Sequence, residues 1–272
     1  MGFLQYLPEP PLDALIAKVW DWDMPPAAHH HERVLPQPGA QLIINLHEDE
    51  TRVYTDDAAR RCIRSSASVL GGPMLRSEII DTAEQIRVMG VVFHPGGAHA
   101  LTGEDARALT GHDIDLGDLF GNAAAALLRE RLLAIDTPCE RVRTLAQWLR
   151  QRMHVTALHP AVDHALAMLA RQPQVHRISL LARDAGLSER RLGMLFQHQV
   201  GMRPKHYARL LRFRAVLSQA QDRASVNWSR VAADCGYSDQ AHLSHEFRQF
   251  SGITPTAFMA ARGPYANHLA LD

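Results

Sequence analysis

The feature that most constrains the fold is an internal repeat in the last third of the sequence. One copy reads "LARDAGLSERRLGMLFQHQVGMRPKHY" (181–207) and the other reads "VAADCGYSDQAHLSHEFRQFSGITPTAF" (231–258). The copies align at a spacing of 50 residues, which becomes 51 after one inserted residue. The matched pairs are Ala182 and Ala232, Gly186 and Gly236, Ser188 and Ser238, Leu192 and Leu243, Phe196 and Phe247, Gly201 and Gly252, Pro204 and Pro255, and Tyr207 and Phe258. The repeat predicts two units of the same local structure.

Each copy has the pattern of a helix, a tight turn and a second helix. In the first copy, Gly186 occupies the position after a helix where left-handed backbone is favoured, and Ser188 is placed to cap the next helix. The apolar positions of this copy are Ile178, Leu181, Ala182, Ala185, Leu187, Leu192, Leu195, Phe196 and Val200. The second copy repeats the plan with Val231, Ala232, Cys235, Gly236, Tyr237, Ser238, Leu243, Phe247 and Phe250. This is the helix-turn-helix plan, in which the second helix enters the DNA major groove.

The segment between the copies, "PKHYARLLRFRAVLSQAQ" (204–221), predicts one long connecting helix. Its inward stripe is expected to consist of Tyr207, Leu210, Leu211, Ala215 and Leu217.

With these motifs in place, residues 174–262 resemble the C-terminal DNA-binding domain of the AraC/XylS family of bacterial transcription regulators. The resemblance is carried by "LARDAGLSERRLGMLFQHQVGMRPKHYARLLRFRAVL" and "VAADCGYSDQAHLSHEFRQFSGITPTAF". It implies two helix-turn-helix subdomains bridged by a long helix, with two recognition helices in successive major grooves. One departure is His245, at a position where the family commonly has arginine. A neutral histidine cannot form the forked hydrogen bonds that arginine makes with guanine.

The resemblance, with the outward positions of each second helix, gives a set of candidate DNA contacts. Base contacts are expected from Arg190, Gly193, Met194, Gln197, Asp239, Gln240, His242, Ser244 and His245. Because Gly193 and Met194 cannot form forked hydrogen bonds, the first recognition helix is expected to contribute less base specificity than the second. Phosphate contacts are expected from Ser188, Arg203, Lys205 and Arg248. The alternative for Arg190 is a phosphate contact, and for the phosphate candidates it is a solvated surface side chain.

The N-terminal half has the pattern of a β-rich domain followed by helices, so the expected fold class is α+β. Short apolar runs with Gly and Pro punctuation predict a small β-barrel or sandwich, in "QLIINL", "RVYTD", "SASVLGGP", "SEIID" and "QIRVMGVVFHPGG". Helical periodicity predicts helices in "LDALIAKVWDW" (12–22), "LGDLFGNAAAALLRERLLAI" (116–135) and "RVRTLAQWLRQRM" (141–153). Several of its motifs, such as "LPQPGAQLIINL" and "VVFHPGGAHAL", resemble an N-terminal domain of some AraC-type regulators.

These patterns divide the chain into four parts. We expect a sensor or dimerisation domain at 1–153, a linker with the first helix of the next domain at 154–173, the all-α DNA-binding domain at 174–263, and a tail at 264–272. Of the 29 basic and 29 acidic residues, 13 and 6 lie in 174–263, which leaves 16 and 23 elsewhere. A basic domain joined to an acidic one suggests that only the former binds a polyanion, although chance segregation of surface charge is the alternative.

Partners and location follow from the same observations. The expected partner is double-stranded DNA at a promoter or operator, and the family resemblance adds RNA polymerase, a small-molecule effector and a second copy of the chain. No cofactor is expected. No membrane is expected as a partner either, because no apolar run approaches the length of a membrane span. The N-terminus lacks the pattern of a signal peptide, and three widely spaced cysteines (Cys62, Cys139 and Cys235) fit reduced thiols, so the expected location is the cytoplasm.

An enzyme is the competing hypothesis. His242, His245 and Glu246 share one helix, and His47, His94 and His99 could converge on a β-barrel, so either set is a candidate for a metal-dependent hydrolase or cupin-like enzyme. The run "HHHE" (29–32) is a weaker candidate, because consecutive extended residues point to alternate sides. A DNA-repair function would need a reactive cysteine, and none of the three has such a context. We therefore expect no catalytic residue and no bound metal.

Overall fold

The computed structural model describes residues 2–55, 59–152, 157–174 and 177–271 of the 272-residue chain. Its strands are β1 (Gly2–Tyr6), β2 (Ile16–Asp23), β3 (His31–Val34), β4 (Gln41–Asn45), β5 (Glu50–Tyr54), β6 (Cys62–Ser66), β7 (Ser68–Gly71), β8 (Glu78–Asp81), β9 (Arg87–Phe93), β10 (Asp113–Asp115) and β11 (His268–Ala270). They form a six-stranded sheet in the order β1-β2-β9-β4-β7-β10 and a five-stranded sheet in the order β11-β3-β8-β5-β6. The α+β class is confirmed, and the β-rich part consists of two sheets rather than one closed barrel.

Helices follow the strands almost to the C-terminal end. They are α1 (Gly97–Thr102), α2 (Ala106–Leu109), α3 (Leu116–Phe120), α4 (Asn122–Leu133), α5 (Pro138–Arg152), α6 (Pro160–Arg171), α7 (Ile178–Asp184), α8 (Glu189–Val200), α9 (Pro204–Gln221), α10 (Trp228–Asp234), α11 (Gln240–Ser251) and α12 (Pro255–Ala261). The single helix expected at 116–135 is two helices, because Gly121 adopts φ 89° between α3 and α4. Among the described helices, none combines the length and the apolar character needed to cross a membrane.

The helix expected at 12–22 is wrong. Only Leu12–Ala14 form a short 3₁₀ turn, and the rest of the run belongs to strand β2. This strand pairs with both β1 and β9, so its β-branched and aromatic residues lie within the six-stranded sheet. Nonlocal strand pairing therefore decided the structure of a run whose apolar spacing also fitted a helix.

The outer face of the six-stranded sheet packs against α1–α5 to form one hydrophobic core. Ile44, Val91 and Leu145 are among its fully buried members. An ion pair is buried beside this core, where the Arg141 guanidinium on α5 makes two hydrogen bonds of 2.6 Å to the Asp21 carboxylate on β2. This forked pair satisfies two charges that would be costly to bury singly.

A second hydrophobic core lies among α6–α12. The inward stripe of the connecting helix α9 is only partly as expected: Tyr207, Leu210 and Leu217 are buried, whereas Leu211 and Ala215 are partly exposed. The prediction missed Phe213, Val216 and Ala220, which are also buried. The reason is that α9 is covered from both sides, so its buried surface is wider than a single stripe.

The C-terminal end of the chain returns to the N-terminal sheets. Residues 264–272 were expected to be a tail, but β11 pairs antiparallel with β3, and Leu269 is buried in the second core. His268 Nδ1 lies 2.7 Å from Glu32 Oε2, and His29 Nε2 lies 2.6 Å from Glu32 Oε1. Burial disfavours the charged form of Glu32 and by itself would raise its pKa. The hydrogen bonds from His268 and His29 outweigh this effect and leave the pKa of Glu32 below the ordinary value. The expected boundary at 153/154 lies outside the described residues, as does Asp272.

Candidate nucleic-acid interface

Two helix-turn-helix units occupy the positions that the repeat predicts. The turns contain Gly186 and Gly236, with φ 67° and 75°, a left-handed conformation that side chains rarely adopt. In the first unit Ser188 caps α8, because its hydroxyl oxygen accepts a hydrogen bond of 3.2 Å from the amide of Arg191. Both turns and the first cap are therefore as predicted.

The cap of the second unit differs from the prediction. Ser238 was expected to cap α11, but Asp239 does so, and its carboxylate accepts a hydrogen bond of 2.7 Å from the amide of His242. This hydrogen bond holds the pKa of Asp239 below its ordinary value. The hydroxyl of Ser238 donates to the same carboxylate. The residue inserted in the second copy thus moves the cap one position along the chain.

Helix α8 presents an exposed face that contains most of the first set of base-contact candidates. Arg190 and Met194 are exposed, whereas Gly193 and Gln197 are half-buried. Arg191 is exposed as well, although the sequence comparison of the copies did not select it. The opposite face of α8 is buried in the second core.

Helix α11 presents the second set. Gln240, His242 and His245 are exposed, and Ser244 is half-buried. The Gln240 amide oxygen accepts a 3.0 Å hydrogen bond from the Ser229 hydroxyl, and His245 Nε2 lies 2.9 Å from Gln249 Nε2. His242 Nδ1 lies 3.1 Å from the Ser238 hydroxyl, and its ring packs edge-on against Tyr237. Each of these polar groups thus has a neighbouring side chain within hydrogen-bond distance.

The four phosphate candidates are all exposed, but they come from different elements. Ser188 and Arg203 precede α8 and α9, Lys205 lies in the first turn of α9, and Arg248 lies in the last turn of α11.

Glu246 does not belong with the exposed histidines of α11. Its carboxylate is buried against α9, where Arg209 Nε lies at 2.6 Å and Arg212 Nη2 at 3.2 Å. The guanidinium of Arg212 also lies over the Tyr237 ring, 4.9 Å from its centroid. Burial and the nearby Glu246 carboxylate raise the pKa of Tyr237 above its ordinary range. Glu246 therefore fixes α11 to the connecting helix.

Neither candidate metal set is assembled. In the described part of the chain, no three His, Cys, Asp or Glu side chains converge on a point where a metal ion would fit. His47 and His94 are exposed, whereas His99 is buried, with Nδ1 2.7 Å from the Glu104 carbonyl oxygen. All three cysteines are free: Cys62 and Cys139 are exposed and Cys235 is buried.

The N-terminal part contacts the C-terminal ends of α8 and α11 through three residues, which we call the N-terminal clamp: Arg33, Ser77 and Thr110. The Thr110 hydroxyl oxygen lies 2.6 Å from the carbonyl oxygen of Gly201, the residue that ends α8. Arg33 Nη1 donates to the carbonyl of Ser251 at 2.7 Å, and the Ser77 amide donates to that of Phe250 at 2.7 Å. The C-terminal ends of α8 and α11, which are equivalent in the two copies, thus both contact residues of the N-terminal part.

A side-chain pair accompanies the N-terminal clamp at α8. His198 Nδ1 lies 3.2 Å from the Asp105 carboxylate, and the His198 ring packs edge-on against His99. The sequence offered no signal for these contacts, because they join residues about ninety or more positions apart.

Two family models match separate parts of the chain. Residues 181–261 match a family described as a helix-turn-helix domain, and residues 4–115 match a domain of unknown function. A comparison with curated proteins gives no match.

Among solved structures, the chain is similar to two forms of one protein over most of its length and to a shorter domain over part of it. ToxT from Vibrio cholerae has 8% identity and a TM-score of 0.47, covering 96% of this chain and 98% of its own. A form described as unsaturated fatty acid bound wild-type ToxT has 10% identity and a TM-score of 0.44, covering 94% of each chain. The C-terminal domain of AraT, a response regulator from Geobacillus stearothermophilus, has 18% identity and a TM-score of 0.37, covering 40% of this chain and 93% of its own.

Proposed function

We propose that the chain is a DNA-binding transcription regulator of the AraC/XylS family, and that α8 and α11 bind successive major grooves of one operator. The match of residues 181–261 to a helix-turn-helix domain family supports the first part. The observation that carries the proposal is the duplicated unit, whose second helices each bury one face and expose the other. The 18-residue helix α9 connects the units and is about 27 Å long. This length is comparable with the ~34 Å between successive major grooves.

Base reading is proposed to be unequal between the two helices. In α11, Gln240 suits adenine, Ser244 can donate or accept, and the two histidines can each donate one hydrogen bond. In α8, Arg190 can read guanine, whereas Met194 offers only an apolar contact for a thymine methyl group. The remaining base candidates, Gly193, Gln197 and Asp239, complete the proposed surface. The excess of positive charge in 174–263 supports the phosphate contacts.

The proposal includes control of DNA binding by the N-terminal domain, 1–153, through a small-molecule effector. The N-terminal clamp supports this part, because it links the N-terminal sheets and α2 to both recognition helices. A ligand that shifts these sheets would change how α8 and α11 are held relative to each other. The division at 174–263, a second copy of the chain, RNA polymerase and a cytoplasmic location remain predictions from the sequence.

The test is DNA binding by the full chain across a library of genomic fragments, repeated over a series of salt concentrations. We expect nanomolar affinity for a small set of promoter fragments and a logarithmic affinity that falls linearly with the logarithm of salt concentration. Gln240→Ala should relax the preference at one base position, whereas Arg143→Ala, on the exposed side of α5, should have no effect. A flat salt response, or equal binding to promoter and random fragments, contradicts the proposal.

A further inference from the structure

A chain of hydrogen bonds connects the buried carboxylate of Glu246 to the exposed ring of His245. Arg209 Nε on α9 donates to Glu246 Oε1 at 2.6 Å, and Arg209 Nη2 donates to the side-chain oxygen of Gln249. The side-chain nitrogen of Gln249 lies 2.9 Å from His245 Nε2, which is four residues earlier on the same face of α11. We call these four side chains the α9–α11 hydrogen-bond chain. It joins the interior of the second unit to its outward face.

The direction of each hydrogen bond in this chain follows from the guanidinium of Arg209. A guanidinium has N–H donors and no acceptor, so the Gln249 atom that faces it must be the amide oxygen. The NH₂ group of the same amide therefore faces His245. Because an NH₂ group donates, His245 Nε2 accepts and carries no proton. The proton of the neutral ring then lies on Nδ1.

Arg209 is held from two sides, which keeps the Gln249 amide in one orientation. Its carboxylate partner, Glu246, is only 4% exposed and also lies 3.2 Å from Arg212 Nη2. The Arg209 guanidinium lies over the Phe250 ring, 5.5 Å from its centroid. Turning the Gln249 amide over would place its NH₂ group against this cation, with two donors facing each other. The buried end of the chain thus selects which ring nitrogen carries the proton at the exposed end.

The first helix-turn-helix unit has different side chains at the equivalent positions. At the repeat spacing of 51 residues, the counterparts of His245, Glu246 and Gln249 are Met194, Leu195 and His198. Leu195 supplies no carboxylate, and His198 faces Asp105 of the N-terminal half instead. The α9–α11 hydrogen-bond chain is therefore a property of the second unit, which agrees with the unequal base reading proposed for the two helices.

We propose that Arg209 and Gln249 are positioning residues that determine what His245 reads, because they fix it as the neutral ring with its proton on Nδ1. Within the described part of the chain, this Nδ1 has no hydrogen-bond partner. An Nδ1–H group donates one hydrogen bond, which matches N7 of either purine, O6 of guanine or O4 of thymine. Cytosine presents an amino donor in the major groove, so it is disfavoured. The inference rests on the proposed function in one respect, since it takes α11 as a helix that reads bases.

The direct test is an NMR measurement on the full chain with isotopically labelled histidine, at neutral pH and without DNA. Long-range proton–nitrogen spectra distinguish a protonated ring nitrogen from a bare one by its chemical shift, and His245→Gln identifies the signals of this ring. We expect Nδ1 of His245 to carry the proton and Nε2 to be bare. A proton on Nε2, or on both nitrogens, overturns the proposal.

Two variants separate this role from a merely structural one. Gln249→Glu supplies a carboxylate that accepts from both Arg209 and His245, so Nε2 of His245 should gain a proton. Arg209→Met frees the Gln249 amide to turn over, so the two tautomers of His245 should be mixed. Gln151→Glu, on the exposed side of α5, adds the same charge in the N-terminal half and should leave His245 unchanged. Gln249 is exposed, so its replacement tests the chain even if Arg209→Met fails to fold, and a bare Nε2 in Gln249→Glu overturns the proposal.

Base preference is measured separately, by selection from a randomised operator library. The native chain should disfavour cytosine about fivefold at one position, as one neutral hydrogen bond would give, and Gln249→Met should reduce this to less than about twofold. A proton on Nδ1 in a protein without sequence-specific DNA binding supports the assignment of His245 and contradicts the regulator. Specific DNA binding with the proton on Nε2 overturns the assignment and leaves the regulator intact. Specific binding in which Gln249→Met alters no base position also overturns the proposal.

Discussion

The hydroxyl oxygen of Thr110 lies 2.6 Å from the carbonyl oxygen of Gly201, so a residue of the N-terminal half contacts the C-terminal end of α8. The same hydroxyl lies 3.0 Å from the carbonyl of Ala106. Arg33 and Ser77 make the corresponding contacts at the end of α11. The C-terminal ends of both α8 and α11 therefore contact residues of the N-terminal half.

Thr110→Val should weaken the contact between α8 and the N-terminal half. The side chain keeps its shape and loses the hydroxyl, so we expect a loss of about 1 kcal/mol in the free energy of unfolding. Operator affinity should change as well, because α8 is held less firmly. The measurements are urea unfolding and fluorescence anisotropy on operator DNA. Thr102→Val is the matched control, since that hydroxyl donates to the Ala98 carbonyl and accepts from the Glu104 amide, both in the N-terminal half and neither on α8. Unchanged operator affinity in both variants would contradict the role of the clamp.

Glu246→Gln should destabilise the second helix-turn-helix unit. The neutral amide leaves the Arg209 and Arg212 guanidinium groups without their shared carboxylate, so we expect a loss of roughly 2 kcal/mol in the free energy of unfolding. Chemical denaturation measures this loss, with the exposed Glu130→Gln as the control. If Glu246 were instead a metal ligand, added zinc would stabilise the native chain and not the variant. We expect zinc to have no effect on either.

Replacing the two turn glycines with alanine should lower the free energy of unfolding by different amounts. At Gly186 an added Cβ meets no atom within 4 Å, so Gly186→Ala should cost about 1 kcal/mol from the positive φ alone. At Gly236 the Cβ would lie 2.3 Å from the Cβ of Gln174, so Gly236→Ala should cost more. The comparison needs only thermal unfolding of both variants. Equal costs would show that Gln174 moves away freely.

His245→Arg should change the base preference of α11. Arginine supplies the forked donor that matches guanine, so selection from a randomised operator library should gain guanine at one position, worth about 1–3 kcal/mol. Arg248→Ala should weaken binding to all sequences alike and reduce the salt dependence by about one phosphate contact. A preference that changes at no position in His245→Arg places this side chain away from the bases.

Glu78 should make stability depend on pH. Burial, and then the charge of Asp113, raise the pKa of Glu78 from 4.5 to about 7. A carboxyl with a raised pKa binds its proton more tightly in the folded state than in the unfolded state. Ionisation of Glu78 therefore does not change the free energy of unfolding below pH 4.5, lowers it progressively between pH 4.5 and 7, and lowers it by a constant amount above pH 7. The native chain should lose stability across this interval, and Glu78→Gln should remove up to about 2 kcal/mol of that loss. Urea unfolding at several pH values measures it, and an unchanged slope would contradict the assignment.

The parts of the fold that sequence reasoning could predict are those set by local patterns. The repeat placed α7, α8, α10 and α11, because Gly186, Gly236 and the apolar positions around them act within a few residues of each other. Strand β2 was mistaken for a helix because its structure depends on β1 and β9. The burial of Glu246 and the contact between Thr110 and Gly201 depend on distant residues, so no local pattern could indicate them.

The pairing of β11 with β3 also determines how the protein can be divided. A fragment cut between α5 and α6 keeps β3 but loses β11, which leaves the backbone groups of β3 exposed along one edge of the five-stranded sheet. Open strand edges promote self-association. An isolated N-terminal fragment should therefore aggregate unless a peptide matching the 264–271 segment is supplied, so its apparent oligomeric state would be a product of the cut rather than a property of the intact chain.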